Sequence, residues 1–323
     1  MKALVFTEYG PPDGLQLKEV KKPIPKDDQV LIKVHAASIN DWDWCLVRGK
    51  PFYIRLLCGL FKPKIKIPGV DVAGQIEAVG RNANNFQPGD QVYGDLSECG
   101  FGGFAEYVCT HEKALALKPE SMSFVEAAAI PHAGMLAIQS LRYFGQIKPG
   151  MKLLINGAGG GVGTLGVQIV RSQGVEVTGV DSSGKMEMMR SIGFDRVIDY
   201  TQEDFTKNGE CYDLILDTKT NRSVFDYARA LSPQGIYVTV GGASSRLFQA
   251  LILGPIIGML SQKKIRILSL KPNQDLDYVN ELFEAGKVKP VIDGPYRLDE
   301  FSEAILRFGQ GNHKGKVVIS FEP

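Results

Sequence analysis

An excess of charge of either sign is missing from this chain. Its 323 residues carry 37 Lys and Arg against 36 Asp and Glu, a formal net charge of +1. That balance gives no sign of a nucleic-acid or membrane-surface partner. Metal-binding residues are few. The five cysteines (Cys45, Cys58, Cys99, Cys109, Cys211) include no C-x-x-C pair, and the four histidines (His35, His111, His132, His313) lie far apart. This pattern fits reduced cytosolic thiols, not a disulfide frame or a zinc knuckle. Each histidine reads as a surface or satisfied core residue. Long apolar runs are also missing. The longest, Leu247 to Leu260, is too short to span a bilayer and is broken by Gly254 and Pro255. It is expected to be a buried or dimer-facing helix. Met1 to Phe6 runs straight into a strand pattern, unlike a signal peptide. These features together give the expectation of a cytoplasmic protein with no integral membrane segment.

What the chain does have is a glycine-rich stretch in a telling context. Leu153 to Asn156 is a short apolar run of strand type. Five glycines follow within seven residues, Gly157 to Gly163, and then Val162, Leu165, Ile169 and Val170 take helical spacing. Strand, glycine turn and helix aim backbone N–H groups and a helix N-terminus at a pyrophosphate. A second strand-like run, Glu176 to Val180, ends at Asp181. That residue lies eighteen positions past Gly163, where a ribose-binding carboxylate is expected. Dinucleotide binding is therefore expected at Ala158, Gly160, Gly161, Val162 and Gly163, with Asp181 on the ribose. The bland alternative is a βα turn that binds nothing.

The chain changes texture near Ser121. Before it, short β-type runs (2–6, 15–20, 29–37, 70–79, 91–93 and 104–109) are punctuated by Pro, Gly, Asp and Asn, as in a small barrel or sandwich. Residues 52–66 depart from this, as an apolar and basic loop with a short helix. After Lys152, strands and helices alternate to about residue 240, which implies a parallel doubly wound sheet. A further strand is expected over 265–270, helices over 276–285 and 301–308, and a last strand over 316–321 that returns to the first domain. The expected organisation is α/β, with one domain over 1–121 and 271–323 and a second over 122–270.

Several ordered motifs carry a resemblance: Ala37 to Asp43, Pro68 to Gly74, Phe86 to Val92, Gly102 to Tyr107, Gly157 to Gly163 and His313 to Val318. Over nearly its whole length the chain resembles the medium-chain dehydrogenase/reductases in their zinc-independent quinone oxidoreductase branch. The apolar-basic insert from Leu56 to Lys64 is similar to the subgroup containing chloroplast-envelope quinone oxidoreductase homologues. The resemblance implies a GroES-like β-barrel catalytic domain, a Rossmann cofactor domain and an active site in the cleft between them. It implies reduction, by a nicotinamide, of quinones or of the C=C bond of α,β-unsaturated carbonyls. One departure is Pro131-His132-Ala133-Gly134-Met135-Leu136-Ala137, where relatives often carry a Thr before the Ala, which puts a polar contact to the nicotinamide in doubt.

The same resemblance frames the candidate site residues. Zinc-dependent cousins carry Cys where this chain has Asn40, and Gly-His-Glu where it has Gly69-Val70-Asp71. Neither Asn nor Val suits a catalytic zinc, so no metal is expected. Asn40 is then expected to donate to the oxygen that gains charge during reduction. Tyr53 is a candidate donor or a wall of the pocket, Asp43 a candidate with a direct or a structural role, and Asp41 a loop residue. Lys185, Ser182 and Ser183 suit a 2′-phosphate, Tyr200 the adenine, and Gly241 the cofactor edge, whereas Asp181 favours a free ribose diol. NADPH is expected to be preferred over NADH without strict exclusion. The expected partner is a small quinone or enone, and the expected assembly a homodimer. The rival readings are a 2-enoyl-thioester reductase and a non-catalytic dinucleotide-binding protein.

Overall fold

A computed structural model describes residues 1–322, and the chain divides into two compact units. The first is Met1–His132 with Pro272–Ala285 and everything from Ile292 onward. The second is Ala133–Lys271 with Gly286–Val291.

The first unit begins with an antiparallel hairpin, β1 (Lys2–Val5) and β2 (Gln16–Glu19). Next come β3 (Gln29–Ser38), α1 (Asp41–Arg48), α2 (Tyr53–Cys58), β4 (Asp71–Val79), β5 (Gln91–Asp95), β6 (Tyr107–His111), β7 (Ala116–Leu117) and α3 (Phe124–Ala128). Helix α4 (Pro131–Ile138) leads into the second unit. There β8 (Lys152–Asn156), α5 (Gly161–Val170), β9 (Glu176–Asp181), α6 (Met186–Ile192), β10 (Arg196–Asp199), β11 (Tyr212–Asp217), α7 (Val224–Ala230), β12 (Leu231–Thr239), α8 (Ser244–Ser261) and β13 (Lys264–Ile267) follow in turn. The chain then returns to the first unit through α9 (Leu276–Glu284), β14 (Ile292–Arg297), α10 (Phe301–Gly309) and β15 (Lys316–Ser320).

In the first unit one seven-stranded sheet runs β14-β15-β3-β4-β5-β7, with β6 also paired to β3. The expected return of the last strand is met: β15 pairs antiparallel with β3, Val318 opposite Ser38. Alternation in β3 buries Val30, Ile32 and Val34 against Phe104, Phe301 and Ile319 and leaves Lys33 exposed.

Two readings need correction, and β14 was not read at all. Asp41, expected in a loop, is the first residue of α1. The Asp43 carboxylate accepts from the Asn40 backbone N–H at the start of the helix, and Gly49 closes it at φ 58°, in the left-handed region where glycine carries no Cβ penalty. Strand β14 was hidden by its own Gly294 and Pro295. The domain boundary lies at His132, not at residue 121, because α3 packs on β3 and β4. Likewise 286–291 join the second unit, where Gln168 and Lys289 exchange two side-chain-to-backbone hydrogen bonds.

The second unit is a six-stranded, all-parallel sheet in the order β10-β9-β8-β11-β12-β13. The order reverses between β8 and β11, and in such sheets ligands bind at the carboxyl ends of the strands beside that switch point. Helix α8 differs from expectation. Among the described residues it is the one helix long and apolar enough to cross a membrane. It lies against the edge strand β13, with Gly254 against Ile265. Only Ala250, Gly254 and Ile257 are buried, while Phe248, Leu251, Met259 and Leu260 face outward.

Candidate active site

The polar centre of the first unit is built by strand register. Ser38 on β3 stands opposite Asp71 on β4, and Asp71 stands opposite Asp95 on β5, so three polar residues lie in a row across the sheet. All three are buried. Asp71 is the hub. Its Oδ2 accepts from Ser38 Oγ (2.9 Å), Asn40 Nδ2 (3.0 Å) and Lys316 Nζ (3.1 Å), and its Oδ1 accepts from the His132 backbone N–H (3.0 Å). Lys316 opens β15 at 4% exposure, and its ammonium also donates to Asn40 Oδ1 at 2.5 Å. A buried ammonium requires such partners, because isolated charges are expensive to desolvate.

This geometry revises the expected part of Asn40. One amide proton goes to Asp71 and the other to the Ser38 carbonyl (3.3 Å), while Oδ1 takes the Lys316 proton. The amide is thus committed inside the protein. Asp43 is committed as well: its carboxylate accepts from the backbone N–H groups of Asn40 (2.9 Å) and Gly69 (2.8 Å). Burial pushes its pKa up to about 7, against the pull of those two donors. Asp43 therefore holds the start of α1 to the 68–71 turn. Tyr53 stands at the start of α2 at 46% exposure, and burial of part of its ring raises its pKa, so the phenol keeps its proton near neutral pH.

Sequence reasoning missed Lys316, Asp71, Asp95 and His132 as one cluster. The signal was present: a charged residue within each of the apolar runs Val70 to Ala73 and Lys316 to Ile319. His132 Nδ1 lies 2.7 Å from Asp95 Oδ2. Burial disfavours charge on the ring, but Asp95 outweighs it and holds the imidazole above its ordinary 6.5, while His132 in turn holds Asp95 below the usual carboxylate range. The expected satisfied core histidine is what His132 is.

In the second unit the glycine turn lies at the carboxyl end of β8, at the switch point. Gly160 precedes α5, so the first N–H groups of the helix lack intrahelical partners. A Cβ on Gly163 would come within 2.4–2.6 Å of the backbone of Ala158, so no larger residue fits there. Such a turn fits the pyrophosphate of a dinucleotide. Asp181 ends β9 as expected but is already engaged: it accepts from the N–H groups of Gly159 (2.9 Å) and Ser182 (2.8 Å) and pairs with Lys185 Nζ (3.2 Å). Lys185 is buried, ends a short turn ahead of α6, and lies across Gly159. Ser183 is exposed, and Tyr200, also exposed, is brought beside Asp181 by a backbone hydrogen bond (3.2 Å). Gly241 follows β12, its carbonyl accepting from Thr220 and Thr239.

Comparison with known proteins agrees with this architecture. Residues 26–120 match the alcohol dehydrogenase GroES-like domain, and 192–319 match the zinc-binding dehydrogenase model. The chain is 36% identical to 2-methylene-furan-3-one reductase of Solanum lycopersicum over 99% of its own length and 79% of that protein. The chain belongs to the medium-chain dehydrogenase/reductase family, in its quinone oxidoreductase branch. It is 32% identical to the chloroplastic NADPH-dependent alkenal/one oxidoreductase of Arabidopsis thaliana, over 99% of this chain and 79% of that one. The quinone oxidoreductase structure from Coxiella burnetii superposes with a TM-score of 0.88 at 28% identity, covering 100% and 99% of the two chains. Against this background the donor set does not suit a catalytic zinc. Val70 offers no ligand, Asn40 Oδ1 is taken by an ammonium, and among the described residues no group of three His, Cys, Asp or Glu could hold a metal.

The titrations in this cluster have a defined sign. His132 stabilises the fold fully below 6.5 and loses that contribution as pH rises through its raised folded value. Asp43 keeps its proton in the fold up to about pH 7, so between about 4 and 7 stability also falls with rising pH. Both tryptophans, Trp42 and Trp44, lie on α1 and report on this unit. Urea midpoints followed by tryptophan fluorescence should fall from pH 6 to pH 9, and His132→Asn should flatten that fall. Identical slopes in the two proteins would show that the pair does not titrate as described.

Proposed function

We propose that this chain is an NADPH-dependent reductase of quinones and of the C=C bond of α,β-unsaturated carbonyls, and that it works without zinc. The observation that carries the metal-free reading is the buried Lys316–Asp71–Asn40 cluster, standing where a ligand set would be needed. The names of the plant relatives, with an enone and an alkenal as substrates, support the substrate class. Bound nicotinamide supplies the hydride, and the protein supplies alignment and electrostatics. An acceptor already electrophilic needs no metal to polarise it. Its carbonyl oxygen gains negative charge as hydride arrives and calls for a donor. With Asn40 committed inside, that part falls to Tyr53, whose half-exposed phenol stays protonated. Asn40 and Asp43 instead fix the loop from Ser38 to the start of α1.

The preference for NADPH rests on Lys185. Paired with Asp181, it neutralises the carboxylate that would repel a 2′-phosphate, and Ser182 and Ser183 add donors beside it. The Arabidopsis relative named as NADPH-dependent supports the same choice. We read the protein further as a cytoplasmic homodimer. The five free thiols support the compartment. The outward apolar face of α8 beside the edge strand β13 supports the dimer, and light scattering that returns only monomer at micromolar concentration would contradict it.

Steady-state NADPH oxidation tests the reading, with 1,4-quinones, 2-alkenals and a crotonyl thioester as acceptors, with and without a strong chelator. Turnover of quinone or alkenal, unchanged by chelator, is expected. Activity lost to chelator and restored by zinc, or turnover of the thioester alone, would overturn it. In the same assay Lys185→Ala should raise KM for NADPH roughly tenfold, about 1.4 kcal/mol, and leave KM for NADH unchanged or lower, since Asp181 is freed for a ribose diol. Equal weakening of both cofactors would mean that Lys185 does not read the 2′-phosphate.

A further inference from the structure

The near-zero net charge conceals a local imbalance. Between Asp43 and Asp71 the chain has six basic residues (Arg48, Lys50, Arg55, Lys62, Lys64, Lys66) and no acidic one. The same segment gathers five exposed large apolar side chains: Phe52 (64%), Leu56 (63%), Leu57 (65%), Leu60 (43%) and Phe61 (86%). These residues are not loosely held. Ile54 and Cys58 anchor α2 in the core. Tyr9 donates to the Gly59 carbonyl (2.8 Å) and stacks under the Arg55 guanidinium, which donates to the Gly49 carbonyl (3.1 Å). The Lys64 N–H closes the turn onto the Cys58 carbonyl (2.8 Å), and Gly59 at φ 118° lets the chain double back so tightly that a Cβ there would meet the Lys62 carbonyl at 2.2 Å. The result is a fixed turn whose apolar tips face water and whose flanks are cationic.

We propose that residues 50–66 dock this protein on the surface of a bilayer containing anionic lipid, with Leu57, Leu60 and Phe61 entering the headgroup–acyl boundary and Lys62, Lys64 and Lys66 facing the phosphates. Interleaved apolar and basic side chains fit that interface, where both kinds of contact add. A second copy presenting the same face would meet like charge, and a nucleic acid would leave the aliphatic tips without a partner. The docking goes beyond the reductase reading and does not depend on it.

Vesicle co-sedimentation with the full chain tests the proposal. Vesicles of phosphatidylcholine with about one third phosphatidylglycerol should bind the wild type at least tenfold more tightly than pure phosphatidylcholine, and added salt should weaken that binding without abolishing it. Leu57→Ser with Phe61→Ser should lower affinity at least tenfold at low salt, and Lys62→Glu with Lys64→Glu should remove the preference for the anionic vesicles. Wild-type protein that stays in the supernatant at low salt would overturn the proposal, as would binding unaffected by loss of the two apolar tips, which would leave only non-specific charge attraction.

Discussion

The buried pair of Lys316 and Asp71 is the constraint on which the first unit depends. Taking an ammonium and a carboxylate out of water costs several kcal/mol each, and their attraction offsets this only when the remaining donors and acceptors are satisfied. Here Asp71 is met by Ser38, Asn40, Lys316 and the His132 N–H, so each of those groups is held in place by the need of one carboxylate. Asn40 is thereby locked in orientation, and its oxygen faces a cation.

The pair also explains why the chain must come back to its beginning. Lys316 is near the end of 323 residues and Asp71 in the first quarter, and only the antiparallel addition of β15 to β3 brings them together. The second unit is inserted between these two parts, with its glycine turn at the point where the parallel sheet reverses order. Outside this cluster the first unit keeps the half-exposed Tyr53 phenol, and in the second unit the glycine turn has Lys185 laid across it.

Much of this was legible in the sequence because it rests on local signals. The glycine turn, the alternation of strands and helices after Lys152, and the returning last strand all follow from spacing and punctuation. Helix α1 was not legible, since Asp41-Trp42-Asp43-Trp44 carries weak helical propensity and depends on the cap at Asn40. Strand β14 was masked by its Gly-Pro. The polar cluster was hidden for a different reason: register across three strands, not sequence distance, sets Ser38, Asp71 and Asp95 side by side. The engagement of Asp181 by Lys185 likewise depends on how the turn after β9 folds, which a carboxylate at the expected spacing does not reveal.

A double-mutant cycle on Lys316 and Asp71 tests the central claim most directly, read as urea unfolding followed by the fluorescence of Trp42 and Trp44. Lys316→Met alone should cost about 3–5 kcal/mol, because it leaves a buried carboxylate without its cation. Adding Asp71→Asn should recover at least half of that loss, a coupling of more than about 1.5 kcal/mol. If the two single losses simply add, Lys316 and Asp71 are not joined as a buried pair, and the account of what holds the first unit's polar centre together fails.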